Sequence, residues 1–209
     1  PQPRSDGRRS RVIYDVSHRT TFKYTQNVSI SHHMLHLSPR KSPNQDCLRH
    51  SIIIEPPPTI IKDSVDYFGN PTTYLTIEES HNELVIVARS SVKVTPPATP
   101  APAETPGWDG ITAMLQRATE RQLLDVCQYA FDSPFAQSEN RAAAYAAPSF
   151  PPGRPVLEGA IELMNRIYTE FKYEGGVTDI YTPVDTVIAE RRGVCQDFAH
   201  LQIAGLRSL

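Results

Sequence analysis

The residue of this sequence best suited to do chemistry is Cys195, which stands where a helical pattern begins. A cysteine in the first turn of a helix lies at the positive end of the peptide dipoles, where its thiolate can accept free backbone N–H groups. Both effects favour the ionised sulfur, which is the nucleophile. Gly193 would let an acyl group approach the same N–H groups, which would act as an oxyanion hole. The alternative is a buried thiol that only fills space.

The other cysteines and the histidines are poorer candidates. Cys47 lies in a strand-like segment and Cys127 on the apolar face of a helical pattern, so we expect both to be core residues. Without a resolving partner for Cys195, redox sensing is the weakest function considered. On a strand, His32 and His36 would stand about 13 Å apart, too far to bind one metal ion. No metal and no other cofactor is predicted.

Composition and charge exclude several classes of protein. Of the 209 residues, 39% are hydrophobic and 21% are charged, as in ordinary folded proteins. No apolar run approaches the roughly 18 residues that span a membrane. The net charge of −2 excludes nucleic-acid binding by bulk charge. Three scattered cysteines do not form a disulfide framework, so we expect a reducing, cytoplasmic setting. A solvated basic arm is expected at the N-terminus, with Arg4, Arg8, Arg9 and Arg11.

A proline-rich segment separates two regions that differ in their sequence patterns. Five of the 19 prolines fall within residues 96–106, a segment that favours extended backbone and is typical of a semi-rigid linker. Residues 12–95 mix β-branched and aromatic residues with regularly spaced turn formers, which predicts an antiparallel β-sandwich of six or seven strands. Residues 107–209 follow the helical period instead. The predicted fold class is α+β, with the sandwich first.

Helical patterns occupy much of residues 107–209. One runs from Ile111 to Cys127 behind a possible Asp109 cap, and a second covers residues 157–171. A short third helix is predicted to start at Thr182–Pro183 and to stop near Arg192, with Gly193 as its C-cap. The last pattern extends from Cys195 to Leu209.

The segment RRGVCQDFAHL, residues 191–201, resembles the nucleophile region of the bacterial transglutaminase-like superfamily. Residues 163–209 are similar to the first half of that core. The stretches HRTTFKY, LSPR, DYFGN and SHNELVI, within residues 18–86, resemble the N-terminal domain of bacterial members. The resemblance implies that Cys195 attacks a carboxamide or peptide carbonyl and that water or an amine resolves the thioester. It assigns supporting roles to Gly193, Gln196, Asp197 and Tyr173.

The resemblance also places a catalytic His and Asp downstream of the cysteine helix, beyond Leu209. His200 cannot replace that histidine, because five residues turn a helix by about 140° relative to Cys195. The chain is therefore expected to be a fragment that holds only the nucleophile. We expect the helix face of Phe198, Leu201, Leu206 and Leu209 to be exposed, which predicts self-association or disorder near the C-terminus.

Tyr168, Tyr173 and Tyr181 precede the cysteine and are expected to lie in the core or to line a groove.

Two functions of different classes follow. The first is a cysteine enzyme acting on protein or peptide substrates, by hydrolysis in preference to cross-linking. The second is a non-catalytic binding module whose sandwich recruits a protein partner.

Overall fold

A computed structural model describes residues 11–209 of the chain. These residues divide into two compact units, one ending at Ala98 and one beginning at Thr99. Arg4, Arg8 and Arg9 of the expected arm lie outside the described residues. Within residues 11–209, no helix combines the length and the apolar character needed to cross a bilayer.

The N-terminal unit consists of two three-stranded antiparallel sheets, as expected for the α+β class. Its strands are β1 (Val12–Val28), β2 (Ser31–Leu35), β3 (Gln45–Glu55), β4 (Ile60–Val65), β5 (Pro71–Ile77) and β6 (His81–Val94). One sheet has the order β1-β6-β3 and the other the order β2-β5-β4. Residues of both sheets form one core, built around Leu75, Ile77, Leu84 and Ile86. Alternation along β6 places Leu84, Ile86 and Ala88 in the core and turns Val85, Val87 and Arg89 outward.

Cys47 is not a core residue, contrary to the prediction. It lies in β3 but is exposed, and its thiol donates to the carbonyl of Arg49, 3.4 Å away. The register of β3 shifts between these two residues, so Cys47 borders a β-bulge. A bulge leaves one residue unpaired and bends the strand away from regular packing. Cys127 is half-buried instead of enclosed.

The second unit is mainly helical. Its elements are α1 (Trp108–Gln116), α2 (Arg121–Cys127), α3 (Asn140–Ala146), α4 (Val156–Glu170), β7 (Lys172–Tyr173), α5 (Val184–Glu190), β8 (Arg192–Gly193) and α6 (Cys195–Arg207). The core is formed by α3, α4, α5 and α6, with Leu163, Val187 and Leu201 among its most buried side chains.

Two predicted helix features of this unit are wrong. The pattern over residues 111–127 forms two helices, because four polar residues, Thr119 to Gln122, interrupt its apolar stripe. Asp109 does not cap α1, since it lies inside the first turn and Gly107 is the N-cap. Its carboxylate accepts instead from the backbone N–H of Gly110 and from that of Gly153, each at 2.9 Å.

The predicted caps of the short helix α5 are also wrong. The Thr182 hydroxyl accepts the N–H of Asp179 at 2.9 Å, so it serves the preceding turn, and Pro183 is the N-cap. At the other end, Arg191 is the C-cap, with a left-handed φ of 54°. Gly193 lies two residues further on, in β8, beside the Asp197 side chain.

The apolar face of α6 is largely covered. Leu201 is 1% exposed and packs in the core, which contradicts the expected exposure of that residue. Phe198 and Leu209 are partly buried against the same core. The exposed apolar side chains of α6 are Ile203 and Leu206. The prediction missed this because α3 and α5 cover the helix from the side that Leu201 faces.

Candidate active site

The chain enters α6 through a backbone clamp. The short strands β7 and β8 pair in parallel, with Lys172 opposite Arg192 and Tyr173 opposite Gly193. The N–H of Lys172 donates to the carbonyl of Arg191 at 2.8 Å, and the N–H of Glu174 donates to that of Gly193 at 2.9 Å. Because both bonds precede Cys195 by only a few residues, they fix the direction in which the helix starts.

A buried carboxylate closes the first turn of α6. Asp197 is 3% exposed, and its Oδ2 accepts the backbone N–H of Val194, the N-cap residue, at 2.7 Å. The same oxygen accepts the hydroxyl of Thr178 at 2.6 Å. A carboxylate in the first turn also lies favourably in the field of the helix dipole. Asp197 thus holds the backbone on both sides of Cys195 in one conformation.

Gly193 makes room for this carboxylate. A Cβ at position 193 would lie 2.7 Å from Oδ2 of Asp197, closer than real Cβ contacts come, and 3.0 Å from its Cβ. The glycine was predicted to end α5 and to let an acyl group approach. Its observed contact is with Asp197, so the small residue serves the helix start.

Cys195 is the first residue of α6 and is exposed. Val194 before it is extended, with φ −117° and ψ 178°, so the sulfur stands at the junction of strand-like and helical backbone. The N–H groups of this first turn have no partner one turn earlier in the helix. Asp197, Leu201 and Ala204 form the buried side of α6, whereas Cys195 and Ala199 face solvent. A carbonyl can therefore reach the sulfur.

Aromatic rings border the same turn. The ring of Tyr173, 66% exposed, lies 6.5 Å from that of Phe198, which is one turn beyond Cys195. Phe198 in turn contacts Phe171 edge to face at 5.8 Å. Tyr173 is therefore anchored at the rim of the site and open to a ligand. Tyr168 and Tyr181 are also exposed, so none of the three tyrosines is a core residue.

His200 points into a different environment. Its ring stacks on Phe135 with centroids 5.8 Å apart, and Phe135 contacts Tyr181 at 6.3 Å. Gln196 is exposed and forms no side-chain hydrogen bond with residues 11–209. Over the same residues, no group of three or more His, Cys, Asp or Glu side chains is arranged to hold a metal ion.

Two supports of the site carry no sequence signal. Thr178 lies in a loop after Gly175–Gly176, and only the fold brings its hydroxyl to Asp197. Arg191, three residues before Val194, donates to Glu170 at 2.9 Å and lies over the rings of Tyr145 and Phe171. These contacts hold the residue in its left-handed conformation. Burial, together with the charge of Glu170, raises the pKa of Tyr145 to about 12.

Comparisons with known proteins match both units. Residues 14–93 match the profile of the bacterial transglutaminase-like N-terminal region, and residues 143–209 match that of the transglutaminase-like superfamily. Uncharacterized proteins of Mycobacterium tuberculosis and Mycobacterium bovis are 39% identical over 204 residues. The alignment covers 93% of this chain and 62% of each relative, so the chain spans about three fifths of their length.

Two more distant matches cover a similar share of this chain. An uncharacterized protein of Mycobacterium leprae is 25% identical over 194 residues, covering 93% of this chain and 66% of its own. A crystal structure of a candidate cysteine protease from Cytophaga hutchinsonii superposes with a TM-score of 0.67 at 20% identity. That match covers 95% of this chain and 66% of the other, and it shows a shared fold.

Proposed function

Because the chain belongs to the transglutaminase-like superfamily, we propose that it carries the nucleophile of a cysteine enzyme acting on peptide or carboxamide bonds. The observation that supports this most is the placement of Cys195. Its sulfur is exposed at the first residue of α6, and the backbone around it is held by a buried carboxylate.

The proposed reaction forms and breaks a thioester. The ionised sulfur of Cys195 attacks the carbonyl carbon, and the carbonyl oxygen takes up negative charge beside the first-turn N–H groups. The C–N bond then breaks, and the amine leaves with a proton supplied by a general acid. Water attacks the thioester, which yields a carboxylic acid and restores the thiol. We propose hydrolysis in preference to amine transfer.

Each supporting residue has a distinct part in this proposal. Asp197 and Gly193 are positioning residues, because they act on the backbone around Cys195 and not on a substrate. Tyr173 is proposed to line the groove that receives the substrate chain, since it is exposed and packs on Phe198. Gln196 is exposed next to the sulfur and is free to contact a bound carbonyl.

The proton-transferring group is expected outside these 209 residues. His200 is on another side of α6 from Cys195 and stacks on Phe135. A triad that lacks its base retains only what binding and the oxyanion hole contribute. We therefore assign the activity to a protein that contains this chain together with a downstream His and Asp, in a reducing, cytoplasmic setting.

Peptide hydrolysis by that longer protein tests the proposal. C195A and C195S are expected to abolish release of new amino termini from an unfolded protein substrate. C47A is the matched control, because Cys47 is also exposed but lies in β3. Hydrolysis that survives in C195A would contradict the proposal, and no hydrolysis by the parent protein would leave the protein-binding function. Incorporation of a primary amine without hydrolysis would favour cross-linking.

A further inference from the structure

The outer face of the sheet β1-β6-β3 carries three arginines on one diagonal. Arg89 in β6 lies opposite Ser17 of β1 and Ser51 of β3. Arg19 is two residues beyond Ser17, and Arg49 is two residues before Ser51. Since β1 and β3 run in the same direction on either side of β6, the three arginines form a straight line across the strands.

A β-bulge brings Arg49 onto this line. Cys47 pairs with Val92 and Arg49 pairs with Ser91, so Leu48 between them is unpaired. Successive residues of a strand face opposite sides, and a one-residue shift exchanges the sides. Without the bulge, Arg49 would lie opposite Ser90 and share the face of Ala88, which is a core residue. The irregularity therefore places a third guanidinium beside Arg89.

No acidic side chain among residues 11–209 forms an ion pair with any of the three guanidinium groups. All three arginines are exposed. Two other basic residues of this face lie directly opposite an acid, Lys23 with Glu83 and Lys93 with Asp46.

The remaining acids on the face lie off the diagonal. Asp15 is opposite Ser91, and Glu55 is opposite Val85. Asp15 and Glu55 offset part of the charge of the three arginines without forming an ion pair with them. The net positive charge that remains along the row can attract an anion.

The row lies in two adjoining concavities of the sheet surface. The larger, about 630 Å³, has Arg49, Arg89 and one acid, Asp15, in its lining, together with serines that include Ser17 and Ser51. The smaller, about 200 Å³, shares Arg89 and also contains Arg19 and Glu55. Serine hydroxyls can both donate and accept, so those of the exposed Ser17 and Ser51 can pair with the backbone of a bound chain. Arginine binds carboxylates through two parallel hydrogen bonds.

We infer that this face binds an extended acidic polypeptide segment with Asp or Glu at alternate positions. Diagonal neighbours in antiparallel strands have side chains roughly 7–8 Å apart or slightly less. In an extended chain, every second side chain is about 6.6 Å further along and points to the same side. Three alternate carboxylates can thus meet Arg19, Arg89 and Arg49 in turn.

The chemistry of the surface favours a polypeptide over a nucleic acid. Asp15 and Glu55 flank the row and would repel a continuous phosphate backbone, which carries charge on every nucleotide. A peptide with neutral residues between its acids can place the neutral residues beside Asp15 and Glu55. The inference uses no feature of Cys195, so it stands or fails separately from the proposed activity.

Fluorescence anisotropy of the 209-residue chain tests this binding. The probe is a labelled peptide that alternates serine and glutamate, and the control probe replaces each glutamate with glutamine. At low ionic strength the acidic probe is expected to bind, and R89Q is expected to weaken binding about tenfold or more. R19Q and R49Q on the outer strands are expected to weaken it several-fold. R117Q is the matched control, because Arg117 is exposed in the second unit and carries the same charge.

Three results would overturn the inference. The glutamine probe could bind as tightly as the acidic probe, or R117Q could weaken binding as much as R89Q, R19Q and R49Q do. A thymidine oligonucleotide could also compete more strongly than an unlabelled acidic peptide. Circular dichroism of each variant establishes that it folds. Should R89Q not fold, R19Q and R49Q decide the matter, since both lie on outer strands of the sheet and are exposed.

Discussion

The carboxylate of Asp197 occupies the space that any side chain at position 193 would need, since a Cβ there would lie 2.7 Å from its Oδ2. Gly193 and Asp197 stand on either side of Cys195. The oxygen in question also accepts the N–H of Val194 and the hydroxyl of Thr178. The geometry around the sulfur therefore depends on a glycine and an acid that fit together.

Gly193→Ala tests this fit. The added methyl group must displace the Asp197 carboxylate, so we expect a loss of about 1–3 kcal/mol in the free energy of unfolding, as for other overpacked sites. Urea denaturation measures it. Gly110→Ala is the matched control, because a Cβ there meets nothing within 4 Å and Gly110 lies within α1. That variant should be stabilised by up to about 1 kcal/mol. Equal effects of the two substitutions would contradict the assigned role.

Asp197→Ala removes the acceptor of two hydrogen bonds in a buried position. We expect it to cost about 1–3 kcal/mol, since the N–H of Val194 and the hydroxyl of Thr178 are left without their partner. Thermal denaturation of D197A measures the loss of both hydrogen bonds, and that of T178V measures the loss of the Thr178 bond alone. T178V removes one donor and should cost less than D197A. A D197A protein as stable as the parent would show that the carboxylate does not hold the helix start.

Leu201→Ala and Leu206→Ala distinguish the two sides of α6. Leu201 is enclosed, so its truncation leaves a cavity and should cost about 2–5 kcal/mol. Leu206 is 37% exposed, and its truncation should change stability by less than about 0.5 kcal/mol. Chemical denaturation of both variants gives the comparison. A reversed order would mean that α6 is turned differently about its axis.

Alkaline pH should weaken the second unit through Tyr145. Its pKa is raised to about 12 in the folded chain, whereas a tyrosine in the unfolded chain ionises near 10. The neutral phenol is thus favoured by folding, and this contribution is complete below pH 10 and lost as the pH rises to 12. The free energy of unfolding measured over this range should fall more steeply for the parent than for Y145F. Parallel curves would refute the assignment.

The sequence predicted the elements whose pattern is local. The helix over residues 156–170 and the start of α6 at Cys195 follow directly from apolar periodicity. The α+β class follows from the change of period at the proline-rich segment. The caps of α5 were mispredicted, because Thr182 is drawn into a turn with Asp179 and Arg191 adopts the left-handed conformation in place of a glycine.

Contacts between distant residues could not be predicted from the sequence. Nothing in the pattern joins Thr178 to Asp197 or Arg191 to Tyr145, because these pairs meet only after the helices pack. The exposure of Cys47 depends on a bulge whose position is set by the pairing of β3 with β6. Leu201 was expected at the surface because α3 and α5 were not known to cover it.

The relative alkylation rates of Cys195 and Cys47 test the central claim most directly. Both thiols are exposed in the same chain, so they experience the same reagent, and mass spectrometry of the digested protein reports each separately. At neutral pH under limiting iodoacetamide, we predict that Cys195 reacts several-fold faster than Cys47, because only Cys195 stands at a helix start. Equal labelling, or faster labelling of Cys47, would contradict the claim that Cys195 is the nucleophile.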